Sequence, residues 1–153
     1  MNAVIRDAGK GDRAFIEQLG KRTSMDSVSP LRRPNAQAVV GSFERLLDIV
    51  YHREHVALIA EVAGEPAGFL LMLESLPDEV TGDDQAFIAY MAVAREHRGA
   101  GIGTSLLQRA EDEARRRGAP YIALMVTDDN AAARALYERA GFATERRLLC
   151  KTL

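Results

Sequence analysis

Cysteine is nearly absent from this sequence, because its 153 residues contain only Cys150. A single cysteine excludes an internal disulfide and any metal site built from several cysteines. The three histidines, His52, His55 and His97, do not follow the spacing of a zinc motif such as HExxH. The composition gives no ligand set for a metal, and we expect the protein to work without one.

Long apolar runs and a large charge of one sign are also missing. No stretch approaches the roughly 20 apolar residues that a membrane-spanning helix needs, and the first residues lack the apolar core of a secretory signal. The formal net charge is only −2, which gives no electrostatic reason to expect nucleic acid as a partner. With 47% hydrophobic and 27% charged residues, the chain is typical of a globular protein. We expect one domain over residues 1–153, located in the cytoplasm.

The spacing of apolar residues predicts an α/β protein in the order β-α-α-β-β-β-α-β-α-β. We predict strands at 3–8, 56–62, 67–73, 86–93 and 121–126, and a final strand within 142–153. We predict helices at 11–22, 36–53 and 130–141, and another from the glycine-rich stretch to residue 117. Asp12 is placed to cap the first helix, and the four residues AGEP after residue 62 are short enough for a hairpin.

The glycine-rich stretch HRGAGIG, residues 97–103, stands directly before a predicted helix. Backbone N–H groups at a helix N-terminus have no helical partner, and together with the helix dipole they attract anions. Glycines at this point let a phosphate approach the bare backbone, and Arg98 adds a positive charge. The spacing is neither the GK[ST] ending of a P-loop nor GxGxxG. It predicts a phosphate cradle of another kind, and the alternative is a turn that binds nothing.

Two segments carry a resemblance to a known family. Arg98-x-x-Gly101-x-Gly103 resembles the Q/R-x-x-G-x-G/A acyl-CoA signature of the GNAT superfamily of N-acetyltransferases. The sequence NAAARALYERAGF, residues 130–142, is similar to that family's N-x-x-A-x-x-L-Y-x-x-x-G-F segment. The resemblance implies a mixed, mostly antiparallel central sheet with helices on both faces. Strands 86–93 and 121–126 would be a parallel pair that splays apart into a wedge.

The resemblance also implies acetyl-CoA as the co-substrate and no metal. Its pantetheine arm would enter the wedge and contact the strand backbone at Met91, Ala92 and Val93. Its pyrophosphate would bind the turn that consists of Arg98, Gly99, Ala100, Gly101, Ile102, Gly103 and Thr104. Asn130 would add a contact from the next helix, although it is equally suited to capping that helix. The position of Arg134 one turn into this helix separately suggests an approach to the cofactor phosphates.

Tyr137 matches the tyrosine that the family uses as a general acid. Acetyl transfer to an amine expels a CoA thiolate, to which a nearby phenol can donate a proton; the alternative is a tyrosine that only packs its ring. Many family members have a glutamate base near the middle strand, but 86–93 contains no acid. Glu74 is the nearest substitute, with Tyr90, His97, an ordered water or deprotonation in bulk solvent as alternatives.

We therefore expect direct acetyl transfer from acetyl-CoA to an amine, which is either a small molecule or a protein amine. The resemblance places the acceptor site at the mixed loop 23–35 and at the loop 74–85, and the five acids of the second loop either attract a cationic amine or form a solvated turn. Dimers are common in the family, which leaves a homodimer open. The alternatives are an acyl-CoA-binding regulatory domain without catalysis and an interaction module without a cofactor.

Overall fold

Five strands form one mixed sheet in the computed structural model, which describes residues 2–153. Across the sheet they follow in chain order as β1 (Val4–Asp7), β2 (His55–Val62), β3 (Glu65–Leu73), β4 (Ala86–Val93) and β5 (Ile122–Leu124). The first three pairings are antiparallel, whereas β4 and β5 are parallel. The mixed, mostly antiparallel sheet with one parallel pair is confirmed.

Helices cover both faces of this sheet, as predicted. They are α1 (Arg13–Thr23), α2 (Ala36–Tyr51), α3 (Ile102–Arg116) and α4 (Ala131–Arg139). The apolar stripes of α1 and α2 pack on one face, where Ile16, Phe43 and Leu47 join the core. The stripe of α3 packs on the other face, and α4 adds partly buried side chains there. Because both faces are covered, the central strands are continuous apolar runs rather than alternating ones.

The predicted hairpin between β2 and β3 is confirmed, and it turns through only two residues. Ala63 and Gly64 both have positive φ angles, 53° and 81°. Positive φ at both central residues defines the hairpin turn whose twist matches that of the flanking strands.

A β-bulge interrupts β4 near its middle. Leu71 of β3 lies opposite Tyr90 and Met72 lies opposite Ile88, so Ala89 is an extra residue without a partner in β3. As a result Ala89 and Tyr90 both pack with the core beneath α1 and α2. A bulge bends its strand and redirects the side chains that follow it.

The two parallel strands share only three pairs of residues, from Ala86 opposite Ile122 to Ile88 opposite Leu124. Beyond Ile88, β4 continues to Val93 while β5 has already ended. No strand in the described part of the chain pairs with this outer edge of β4. The expected splayed pair is therefore present, and it opens toward the C-terminal ends of both strands.

The predicted strand within 142–153 is wrong, since these residues form no regular structure. Leu148 and Leu149 are each 88% exposed. A strand with one buried face needs apolar residues at every second position, but here three charged residues precede two adjacent leucines. Neither face of such a strand would be consistently apolar.

The prediction that the Asp12 side chain caps the first helix is also wrong. Asp12 occupies the residue before α1, but its side chain makes no capping bond to the helix. Its carboxylate instead accepts two bonds from Arg6, at 2.7 and 2.9 Å, and one from the N–H of Gly9 at 2.7 Å. The salt bridge ties the start of α1 to β1, which outweighs a local cap.

Glu113 is a buried carboxylate near the C-terminal end of α3, only 5% exposed. Burial raises its pKa, but hydrogen bonds from Arg116, Arg117 and Arg109 together outweigh burial and leave the pKa at about 2, below its usual value of 4.5. A carboxyl whose folded-state pKa is depressed stabilises the fold above its unfolded pKa, and this stability is lost as pH falls.

We expect Glu113→Gln to lower the free energy of unfolding by roughly 2–3 kcal/mol at pH 7. The difference from wild type should shrink as pH falls from about 4.5 toward 2. Chemical denaturation across this pH range measures it. Asp112→Asn is the control, because Asp112 is mostly exposed in its pair with Arg115 and should change stability by less than about 0.5 kcal/mol. An equal loss of stability in Glu113→Gln and Asp112→Asn would contradict the stabilising role of the buried Glu113 carboxylate.

Candidate active site

The glycine turn before α3 contains two residues in the left-handed region. Gly99 has a φ of 80° and Gly101 a φ of 81°, angles that side chains other than glycine adopt only with strain. A β-carbon built on either glycine meets no atom within 4 Å. Both glycines are therefore required by the backbone, and both face open space.

Gly103 is required for a different reason, which the sequence did not reveal. It lies in the first turn of α3, where a β-carbon would come within 2.9 Å of Leu136 Cδ2 and 3.8 Å of Met91 Cε. The missing side chain lets α4 pack closely against α3 and β4. The three elements predicted to hold the cofactor thus converge at this glycine.

Free backbone donors lie at the start of α3. The N–H of Ser105 bonds to the carbonyl of Gly101 at 3.0 Å, so the N–H groups of Ile102, Gly103 and Thr104 come before the first helical bond. The side chain of Ile102 is buried, and it fixes this turn against the core. A helix start of this kind can bind an anion.

Arg98 connects the glycine turn to two other parts of the molecule. Its Nε donates to the carbonyl of Val93 at 3.0 Å, and its Nη2 donates to a carboxylate oxygen of Asp26 at 3.4 Å. The guanidinium is about half exposed, so it places a positive charge beside the turn and leaves donors free toward solvent.

The predicted strand contacts, Met91 to Val93, lie on the part of β4 that β5 leaves uncovered. Met91 and Val93 pack with the core beneath α3, whereas Ala92 faces the core beneath α1 and α2. The backbone of this segment borders the open wedge. The structure thus brings Met91, Ala92 and Val93 together with the glycine turn, at the same end of the sheet.

Asn130 caps α4, since its Oδ1 accepts from the N–H of Ala133 at 3.2 Å. Arg134, one turn along, donates to the carbonyl of Asp128 at 3.2 Å. The predicted cap is confirmed. Contacts of Asn130 and Arg134 with a cofactor stay predictions.

Tyr137 lies on α4 and is half-buried. It directly follows Leu136, whose side chain covers Gly103. Its ring meets the ring of Phe142 edge to face, with centroids 5.9 Å apart, and burial raises the pKa of its phenol above the usual value of 10. Within residues 2–153 the Tyr137 hydroxyl has no hydrogen-bond partner. It is therefore a phenol that stays protonated at neutral pH and has its proton free to donate.

A comparison with protein families agrees with this geometry. The sequence profile described as "Acetyltransferase (GNAT) family" matches residues 26–142, which include the glycine turn, the wedge and Tyr137. The chain belongs to the GNAT family. The similarity to the family therefore covers most of the sequence and is not limited to the two short segments.

Curated relatives of this GNAT chain match parts of it. N-alpha-acetyltransferase 30 of Schizosaccharomyces pombe is 44% identical over 64 residues, which are 42% of this chain and 43% of the relative. Streptothricin acetyltransferase of Streptomyces lavendulae is 41% identical over 91 residues, or 60% of this chain and 44% of the relative. The matched segments thus span about half of these relatives or less.

Solved structures match the GNAT chain over its whole length. A Pyrococcus furiosus protein, provisionally described as an acetyl transferase, is 28% identical with a TM-score of 0.83, over 99% of this chain and 100% of that one. A ribosomal-protein-alanine N-acetyltransferase of Brucella melitensis, 23% identical with a TM-score of 0.72 over the full length of both chains, shares the fold. These matches confirm the predicted architecture.

Glu74, the predicted base, lies away from the glycine turn. Its carboxylate accepts from Arg117 Nε at 2.7 Å, and Arg117 directly follows the last residue of α3. The 15 residues of α3 span about 22 Å, and the glycine turn stands at the other end. The structure does not bring Glu74 together with the other predicted site residues.

The acidic loop 74–85 is largely engaged with its own neighbours. Asp78 accepts from the N–H of Thr81 at 2.8 Å and pairs with Arg146, and the bond from Thr81 is the main cause that lowers its pKa. Asp84 accepts from the Ser75 hydroxyl at 2.5 Å. Among the described residues, no group of three or more potential ligands is arranged to hold a metal, and no helix is both long and apolar enough to cross a membrane.

A short segment after α1 also reaches the open end of the wedge. It is the 3₁₀ turn Ser24–Ser27, in which Asp26 contacts Arg98 and the carbonyl of Ser27 accepts from the hydroxyl of Thr127. The partners are separated by 72 and 100 residues in sequence. No local sequence signal identifies contacts of such range.

Proposed function

We propose that this protein transfers an acetyl group from acetyl-CoA directly to an amine. The observation that carries the proposal is the glycine turn at the start of α3. Two left-handed glycines face open space there, next to free N–H groups and the uncovered edge of β4. Family membership over residues 26–142 supports the same activity.

The turn suits the pyrophosphate of acetyl-CoA in shape and in charge. A β-carbon at Gly99 or Gly101 would project into the space that the phosphates need. The N–H groups of Ile102 to Thr104 and the guanidinium of Arg98 would supply donors. The uncovered backbone of Met91 to Val93 would bind the amide-containing arm in the wedge.

We assign Tyr137 the role of general acid. Acetyl-CoA supplies an acetyl thioester; the reaction forms a bond between the amine nitrogen and the carbonyl carbon, and breaks the bond from that carbon to sulfur. The sulfur leaves as a thiolate, which takes the phenolic proton of Tyr137, and the phenolate then regains a proton from water. The phenol is protonated at neutral pH, since burial raises its pKa, and its hydroxyl is free; both features support this assignment.

The amine must lose a proton to complete the transfer. We propose that water takes this proton and that no side chain is needed as a base. The ion pair of Glu74 with Arg117, far from the glycine turn, supports this choice over Glu74. The hydroxyl of Tyr90 is committed to hydrogen bonds beneath α1.

The names of the relatives refer to different acceptors, an N-alpha amine in one and streptothricin in the other. We therefore propose testing both classes. The assay uses the full chain with acetyl-CoA and measures release of the CoA thiol. Its amine panel contains peptides with a free α-amino group, a lysine peptide blocked at its N-terminus, a polyamine and streptothricin.

At least one amine in the panel should accelerate CoA release, and mass spectrometry should find that amine acetylated. Tight binding of acetyl-CoA without amine-dependent release by any class would instead favour a regulatory domain. Absence of both binding and release would favour an interaction module.

A further inference from the structure

Tyr90 lies at the bulge of β4, on the face opposite to Tyr137. Its ring stacks on that of Phe69 with centroids 5.7 Å apart, and it contacts the ring of Phe43 at 4.8 Å. Gly20 of α1 makes room for this cluster, since a β-carbon there would lie 1.9 Å from Phe43 Cζ. The ring of Tyr90 is thus held from several sides.

The hydroxyl of Tyr90 is held as well, through two contacts with the end of α1. It lies 2.9 Å from Thr23 Oγ1 and 3.2 Å from the carbonyl of Gly20. Thr23 Oγ1 also donates to the carbonyl of Leu19 at 2.9 Å. Either hydroxyl can be the donor of the Tyr90–Thr23 bond, and the phenol also donates to the carbonyl of Gly20. Burial raises the pKa of this phenol, which keeps it protonated.

Thr23 is the last residue of α1, and the chain continues directly into the 3₁₀ turn Ser24–Ser27, which we call the strap. The strap contacts Arg98 after β4 through Asp26, and Thr127 after β5 through Ser27. Because β4 and β5 are parallel, these two partners stand on opposite sides of the open wedge. The strap therefore crosses the wedge at its wide end.

We infer that Tyr90 is a positioning residue, whose hydrogen bond to Thr23 fixes the strap across the wedge and so sets where an amine can meet the thioester. This inference rests on the proposed function. It gives Tyr90 a role other than the base that the sequence allowed. The bulge contributes to this positioning, because it places Tyr90 on the same face as Ala89 and beneath the end of α1.

Two single substitutions remove the bond from either side. Tyr90→Phe keeps the ring and removes the phenol hydroxyl; Thr23→Val keeps the side-chain shape and removes the threonine hydroxyl. Thr23→Ser keeps the hydroxyl and is expected to behave as wild type. Tyr51→Phe is the matched control, since Tyr51 is another half-buried tyrosine, packed against His55 at the end of α2.

Hydrogen–deuterium exchange of the full chain without any ligand tests the positioning itself. Losing the hydrogen bond between Tyr90 and Thr23 should accelerate exchange of the amides at 23–28 about fivefold in Tyr90→Phe and Thr23→Val alike. The double variant should add little, and amides of α3 should keep their rates. Unchanged exchange at 23–28, or an equal increase in all elements, would overturn the inference.

Kinetics with the panel amine that wild type acetylates fastest supply a second readout. The two variants should raise KM for that amine about fivefold or more, while kcat and the Kd for acetyl-CoA stay within about twofold. The pH profile of kcat should keep its shape. If kcat of Tyr90→Phe fell about 100-fold with loss of a pH limb, Tyr90 would be a base, contrary to the inference. If no amine is acetylated, the proposed function is wrong. The exchange experiment still tests whether the bond between Tyr90 and Thr23 fixes the strap.

Discussion

Replacing Gly101 with glutamate should abolish measurable acetyl-CoA binding while the chain stays folded. A side chain at this position would project into the open space of the turn, where the pyrophosphate is proposed to lie, and its carboxylate would repel the phosphates. The φ of 81° adds backbone strain of about 1–2 kcal/mol, which a domain of ordinary stability tolerates. Calorimetric titration should show an affinity at least about 100-fold weaker, equivalent to a loss of roughly 2.7 kcal/mol.

Gly118→Glu is the matched control for this substitution. Gly118 has a φ of 77° and no neighbour within 4 Å of a built β-carbon, and it follows the C-terminal end of α3. The Gly118→Glu variant should have a melting temperature lowered about as much as that of Gly101→Glu, and it should bind acetyl-CoA as wild type does. Equal affinity losses at both positions would show that strain, not the ligand site, explains the effect. Normal affinity in Gly101→Glu would show that the glycine turn does not bind the phosphates.

Tyr137→Phe should lower turnover by roughly 10- to 1,000-fold, the usual worth of a general acid, and leave acetyl-CoA affinity unchanged. The substitution keeps the ring against Phe142 and removes only the proton that the thiolate needs. Steady-state CoA release with the best panel amine gives kcat, and calorimetry gives the Kd. Because burial raises the pKa of Tyr137, wild-type kcat should fall with rising pH only above about 10, and the variant should lack that fall.

Tyr121→Phe serves as the control, since Tyr121 is 59% exposed and directly precedes β5. It should leave kcat unchanged. Wild-type turnover in Tyr137→Phe would exclude Tyr137 from proton transfer, and a loss of acetyl-CoA binding would mean that the hydroxyl holds the substrate instead.

Local patterns were sufficient to predict most of the fold. The helices, the β2–β3 hairpin and the boundaries of β4 follow from apolar spacing and from glycines at turns, which act over a few residues. The left-handed angles at Gly99 and Gly101 give the physical reason for two glycines that the sequence could only associate with a phosphate. The family resemblance, not the spacing, supplied the parallel pair.

The features that the sequence did not predict depend on contacts between distant residues. Gly103 is required by Leu136 of α4, the bulge at Ala89 appears only when β4 is aligned with β3, and the strap depends on Arg98 and Thr127. Sequence order makes Glu74 the candidate base because it follows β3, but its ion pair with Arg117 joins residues 43 apart. The failed strand at 142–153 shows that β-like composition without alternation is insufficient.

Thermal unfolding with and without acetyl-CoA is the first test of whether the glycine turn is a cofactor site. A ligand at about 100 times its Kd that binds only the folded state adds roughly 2.7 kcal/mol. For a domain of this size the melting temperature should rise by about 5–10 °C. A rise of that order, lost in Gly101→Glu and kept in Gly118→Glu, is expected if the glycine turn binds the pyrophosphate. No rise at millimolar acetyl-CoA would contradict it, and the glycines would then serve only the turn before α3.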